Sequence, residues 1–505
     1  MELTAVLLYI LLGLVTIGFY FYRKNLNYWK DRGIPCAEAH PIYGSVRGII
    51  KTRIIQDIFG ELYTKYKNVG PFVGIHFFQR PAAFVVDPML AKRILIKDFS
   101  NFPERGTYHN EEDDPLTGHL FALDGAKWKP LRQKLSPTFT SGKMKFMFPT
   151  VVNVGEQFID VLGEMVKSEH NFDVRELCAR FTTDVIGTCA FGIECNSLKD
   201  PNAEFRCWGR KALTLNRHGA FISGLIESFP KLARKLRMKI IHNEINDFFM
   251  RIVHETVELR ERKNIKRNDF MDLLVELKKT KTIKLENGEV LTGLTMNEVA
   301  AQAFVFFLAG FETSSSTMSF ALYELAQHEE IQNKMREEVT EVLAKHNNQL
   351  SYECIKELTY VDQVISETLR HYTIVPFLQR QAENEYIVPD NPKFIIEKGG
   401  LVIIPSSSFH HDPELYPEPN KFNPDRFSPD MVSERDSINW LAFGEGPRNC
   451  IGLRFGKMQA RIGLALLIKN FKFSICEDTK IPIVYEAESF LLCPKGGINL
   501  RIEKI

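Results

Sequence analysis

The segment FGEGPRNCIG, Phe443 to Gly452, constrains this chain more tightly than any other ten residues in it. Gly444, Gly446, Pro447 and Gly452 crowd turn-forming residues around one cysteine. The apolar period of a helix begins at once in LRFGKMQARIGLALLIKNF. A cysteine serves as ligand or nucleophile in its thiolate form. The free N–H groups and dipole at a helix start favour that form at Cys450. Glycines let backbone amides and a flat ligand come close, and Arg448 can meet an anionic group on that ligand. Taken alone, the segment also fits a structural cysteine in a glycine-rich turn.

The rest of the chain is that of a globular protein, 44% hydrophobic and 25% charged over 505 residues. A formal net charge of +1 excludes the strong basic excess of a nucleic-acid binder. The nine cysteines are irregularly spaced, with no C-x-x-C and no N-x-[ST] sequon in the chain. This disfavours a disulfide framework or a paired-cysteine zinc site and fits a reducing, cytosolic environment.

The N-terminus nevertheless points to a membrane. Leu3 to Tyr22 is twenty residues without a charge, the length of a helical span. Arg23, Lys24, Lys30 and Arg32 follow it and only Glu2 precedes it, which places the remaining chain on the cytosolic face. A cleaved signal peptide would have a shorter apolar core, a basic start and small residues at its end. The expected division is an anchor over 1–22, a Gly- and Pro-punctuated linker over 23–45, and one catalytic domain over 46–505, mainly α with a small β portion. Strands are expected around Arg80-Pro81, in a hairpin turning at Asn287-Gly288, and in the Pro-rich region after Tyr372.

One job that fits the parts around Cys450 is thiolate ligation of haem iron. The segment resembles the haem-binding signature of the cytochrome P-450 monooxygenases, F-x-x-G-x-[HR]-x-C-x-G, with Phe443, Gly446, Arg448, Cys450 and Gly452 at its fixed positions. Upstream, AQAFVFFLAGFETSSSTMSFALYEL is apolar nearly all round before Ala309, so it must be buried, yet it carries hydroxyls from Thr313 to Thr317 that can bend a helix. Glu312-Thr313 resembles the family's oxygen-activation pair, which relays protons, and Ala309 lies one turn before Thr313 on the same face. Glu367 and Arg370 of ETLR, with Arg426 of NPDRF, resemble its buried structural triad. Trp128 and Arg132 of WKPLR, with Arg380 and Arg448, resemble its haem-propionate contacts, for which the planar arginine fork is suited. Thr373 stands where the family has a proline, and the linker lacks P-P-G-P.

The resemblance covers the whole chain and is nearest to the insect microsomal, xenobiotic-metabolising branch. It implies haem b (iron protoporphyrin IX) and insertion of one atom of dioxygen into an apolar small molecule, xenobiotic or endogenous. It further implies an NADPH-dependent reductase, optionally a small electron-donating cytochrome, and a single-pass anchor in the endoplasmic reticulum membrane. By family position, His119, Phe121, Val305, Leu308, Val375 and Phe490 line the substrate pocket. Lys129, Lys134, Lys143, Lys145, Arg454 and Lys457 offer a basic docking face, and FPKLARKLRMK a lipid contact. Two rivals stay open: a haem-thiolate isomerase or dehydratase, which commonly lacks the acid-threonine pair, and a tethered haem protein that only binds its ligand.

Overall fold

The computed structural model describes residues 2–49, 51–267, 269–280, 283–284, 290–291 and 293–505. The uncharged N-terminal run forms helix α1 (Glu2–Leu26), of which Thr4–Leu26 is long and apolar enough to cross a membrane. Large apolar side chains such as Leu8, Tyr9 and Phe21 project from it without protein cover.

The segment expected as a linker is fastened to the body. Trp29 is 3% exposed, donates its indole N–H to Ile75 O at 2.9 Å, and lies where a side chain at Gly74 would be. Arg32 and Tyr28 both hold Glu397, and Asn25 donates to Gln79 O at 2.8 Å. Ile34 and Ala37 are buried as well. An apolar residue hidden among glycines and prolines docks the chain even where no periodicity marks an element.

The Trp29 contact is made to a four-stranded sheet in which β1 (Phe72–Phe77), β2 (Arg80–Val85), β3 (Leu378–Gln381) and β4 (Leu401–Ile404) stand in the order β1-β2-β4-β3. β2 and β4 run parallel, the other neighbours antiparallel, with Arg380 of β3 opposite Val402. Phe471–Ser474, Asn499–Lys504 and Asn171–Asp173 form a second sheet. The hairpin arms Ile283–Lys284 and Val290–Leu291 pair as expected; its turn at Asn287-Gly288 lies outside the described residues.

The helices that build the site are α2 (Gly125–Leu135), α3 (Ser141–Met165), α4 (Val174–Ile186), α5 (Ala220–Ser228), α6 (Pro230–Lys235), α7 (Met296–Gln327), α8 (Thr359–His371) and α9 (Leu453–Asn470). α7 is the axis of the larger core. Thr295 and Glu298 close its N-terminus in a reciprocal capping box. Burial of Phe304, Phe307, Phe311, Met318, Phe320 and Leu322 along it contributes on the order of 9–18 kcal/mol of transfer free energy. α4 approaches so closely at Gly310 that a Cβ there would stand 2.6 Å from Ile186 Cδ1. The hydroxyl run expected to bend α7 leaves it helical throughout. Thr313 and Thr317 donate back to Ala309 O at 2.6 Å and Thr313 O at 2.8 Å.

A loop over residues 105–124 straps the body to α5, α6 and the residues just after them. Tyr108 donates its hydroxyl to Met238 O at 2.6 Å, Arg234 donates to His109 O at 3.0 Å, and Arg237 pairs with Asp113 at 2.7 Å. Asp114 accepts from the N–H groups of Ile240 and Ile241. The loop's far end is pinned to α7 by Gln302, which accepts from Leu120 N at 2.8 Å and donates to Gly118 O at 3.1 Å.

Candidate functional site

A cavity of about 310 Å³ lies between α7, α2 and the Phe443–Gly452 loop. That loop is closed on itself: Cys450 N–H donates to Phe443 O at 2.8 Å and Asn449 N–H to Gly446 O at 3.0 Å. Gly446 has φ +74, and any Cβ there would overlap Leu95 O, so only glycine fits. Gly452 adopts an ordinary φ of −88 as the residue before α9, so no left-handed backbone is required there.

Cys450 presents its sulfur to the cavity. Burial is the largest influence on the thiol and raises its pKa. The Gly452 N–H and the Arg132 and Arg105 charges act in the opposite direction, the one expected from the helix start.

Four arginines surround the cavity's cysteine end. Arg132 uses its fork on Asn449, reaching the backbone O and the side-chain Oδ1 at 3.0 Å each. Arg448 lies over the Trp128 ring at 4.4 Å and donates to Leu123 O. Its Nε and Nη1 are buried with no hydrogen-bond partner among the described residues, and so is Arg380 Nε. Arg105 donates to Phe121 O at 2.7 Å and to Arg448 O at 3.2 Å. Burial, then Arg380, Arg448 and Arg132, push its pKa well below the ordinary arginine value. Burial and Arg448 bring Arg380 down to about 9, and burial brings Arg448 to about 10. Buried cations that repel one another and keep unused donors fit a ligand carrying carboxylates on a flat apolar frame.

The expected site residues divide clearly. Cys450, Phe443, Arg448, Trp128, Arg132, Ala309, Thr313, Phe121, Val305 and Val375 all reach the cavity wall. Arg380 is buried on β3 close behind Arg448. Glu312 does not reach the wall; it is buried against α4, paired with Arg175 at 2.7 Å. His119 turns its Nδ1 to its own loop, accepting from Ala122 N, and Phe490 is 57% exposed with its ring against Phe377. Leu308 packs on the core. Glu367 and Arg370 are fully buried, joined at 2.7 and 2.9 Å, with Arg426 at 3.5 Å from the same carboxylate. Arg105 was missed from the sequence, where a lone Arg-Gly pair in FPERGTYHN carries no signal.

Comparison with known proteins matches residues 34–500 to Cytochrome P-450. The chain belongs to the cytochrome P-450 family. It is 58% identical to the probable cytochrome P-450 6a18 of Drosophila melanogaster, over all of both chains. It is 55% identical to the cytochrome P-450 6a2 of the same fly, over 99% of this chain and all of that one. With the cytochrome P-450 6A1 of Musca domestica it shares 51% over all of this chain and 99% of the relative. As a cytochrome P-450 it is an oxidoreductase of the monooxygenase class, and its cofactor is haem b held through a cysteine thiolate.

Proposed function

We propose that the chain is a membrane-anchored monooxygenase that inserts one atom of dioxygen into apolar small molecules, xenobiotic or endogenous, using electrons brought from NADPH by a reductase. The reading is carried by one cavity lined by Cys450, Thr313 and Arg448, the Arg448 guanidinium keeping two buried donors without a partner among the described residues. Haem b, when bound there, supplies the iron that activates dioxygen.

Cys450 would be the iron ligand in this reading, and Phe443 and Ala309, on the same cavity wall, would pack against the bound group. Trp128, Arg132, Arg380, Arg448 and Arg105 would hold its carboxylates. Thr313 keeps a proton at Oγ1 on the cavity wall, fixed by its bond to Ala309 O. Glu312, one residue back and off that wall, is paired with the partly exposed Arg175 of α4. Phe121, Val305 and Val375 shape an apolar space for substrate, while the Glu367–Arg370–Arg426 cluster braces the loop from behind.

We divide the chain into an anchor over 1–22, a docked connector over 23–45 and a catalytic domain over 46–505. α1 is placed in the endoplasmic reticulum membrane, with Arg23, Lys24, Lys30 and Arg32 on the cytosolic side. Lys129, Lys143 and Arg454 are exposed and suit an acidic electron donor, whereas Lys457 is partly neutralised by Asp362 at 3.3 Å. Phe229, Leu232 and Leu236 stand exposed among basic residues at α6, as a lipid contact requires.

The test is the absorption spectrum of the reduced, carbon-monoxide-bound protein. A strongly red-shifted Soret band that disappears in Cys450→Ala supports the reading. A histidine-type band, or well-folded protein without haem, overturns it.

A further inference from the structure

Thr373, two residues past the end of α8, is buried and its hydroxyl is fully used. Its Oγ1 lies 2.7 Å from His410 Nδ1 and 3.2 Å from Arg370 O. His410 has no exposed surface, and its Nε2 accepts the Leu441 N–H at 2.8 Å. Because Nε2 accepts, the ring proton sits on Nδ1 and is donated to Thr373, whose own hydrogen then goes to Arg370 O. Burial, then the neighbouring His411, Arg370 and Arg435, keep the ring neutral. Arg370 closes the circuit by donating to His410 O at 2.9 Å.

Leu441 is where this circuit meets the cavity. It lines the wall, its carbonyl accepts the Gly444 N–H at 2.9 Å, and two residues later the Phe443 carbonyl accepts from Cys450. We propose that Thr373 and His410 are positioning residues that fix the entry of the Cys450 loop, the threonine hydroxyl setting the histidine tautomer that receives Leu441 N–H. Without that hydroxyl the Nδ1 proton has no acceptor. The other tautomer would turn an Nε2–H against the Leu441 N–H, donor to donor. The inference rests on Cys450 being the iron ligand.

The experiment uses the full-length, haem-loaded protein. It follows conversion of the red-shifted carbon-monoxide band to the blue-shifted, neutral-thiol form under mild denaturant. Thr373→Val, which keeps shape and removes the hydroxyl, is expected to convert about tenfold faster, within what losing a buried hydrogen-bond partner costs. Thr373→Ser restores the wild-type rate. The double variant His410→Phe/Thr373→Val converts no faster than His410→Phe alone; if the phenylalanine variants do not fold, the valine and serine variants decide. A wild-type rate in Thr373→Val, or a serine variant as fast as the valine one, overturns the inference. A wild-type protein without the red-shifted band removes the Cys450 reading and this inference with it.

Discussion

Replacing His109 by asparagine should loosen the 105–124 strap in a pH-dependent way whose size follows from the ring's surroundings. His109 Nδ1 lies 3.1 Å from Glu111 and Nε2 3.6 Å from Asp124. Burial alone would lower its pKa, and Arg234 works in the same direction. The bonds to Asp124 and Glu111 outweigh both and raise it from 6.5 to about 9. A proton held more tightly in the closed strap stabilises it. That contribution is complete below about pH 6.5 and lost as pH rises through about 9. Linkage between those two values gives about 2.5 kcal/mol at pH 7, or about 70-fold in the opening equilibrium, and about 0.4 kcal/mol at pH 9. Hydrogen exchange of peptides within residues 105–118, corrected for the intrinsic pH dependence of exchange, reads this directly. Wild type should lose protection between pH 7 and 9.5, whereas His109→Asn should be poorly protected and nearly flat. Equal protection of the two proteins at pH 7, or the same pH profile in both, would refute the reasoning.

Three further outcomes are expected. Glu367→Gln leaves the buried Arg370 guanidinium without its charge partner, at about 3–5 kcal/mol; thermal unfolding followed at the Soret band should show a clear loss, and an unchanged Tm would contradict it. Gly446→Ala forces a Cβ onto Leu95 O at a positive φ and should lower the haem-to-protein ratio, most of the effect being the overlap rather than the about 1–2 kcal/mol of left-handed backbone. Arg105→Leu removes charge-assisted bonds of about 1.5–3 kcal/mol from a carboxylate ligand, so haem transfer to an apoglobin acceptor should be about tenfold or more faster.

What the sequence revealed, and what it hid, follows from how each residue is placed. Cys450, Phe443 and Arg448 are neighbours in the chain as well as in space, so a short segment carries them. Val305, Ala309 and Thr313 are four apart on α7 and share the face that meets the cavity. Leu308 and Glu312, also four apart, form the adjacent stripe, which is why an expected pocket residue and the acid of the expected relay pair turn elsewhere. Arg105 and the strap were invisible because their partners lie far along the chain: Arg448 for Arg105, Met238 for Tyr108 and Arg237 for Asp113 meet them only after folding. The docked connector was read as a linker because Gly33, Pro35 and Pro41 dominate its pattern, while the Trp29 indole on Gly74 and scattered polar bonds from Asn25, Tyr28 and Arg32 do the fastening.

The fastening of Trp29 and its neighbours has a mechanical consequence. A helix joined by a slack tether lets its cargo tumble, so each encounter with a membrane-bound electron donor would sample every orientation. Here α1 passes directly into residues bonded to β1, to the β1–β2 turn and to Glu397, so the tilt of the span is handed on to the whole body. With α1 in a bilayer, the remaining freedom is rotation about the membrane normal and travel within the plane. The proposed basic face would then keep a constant height above the lipid, and its search for a membrane-bound partner would be two-dimensional.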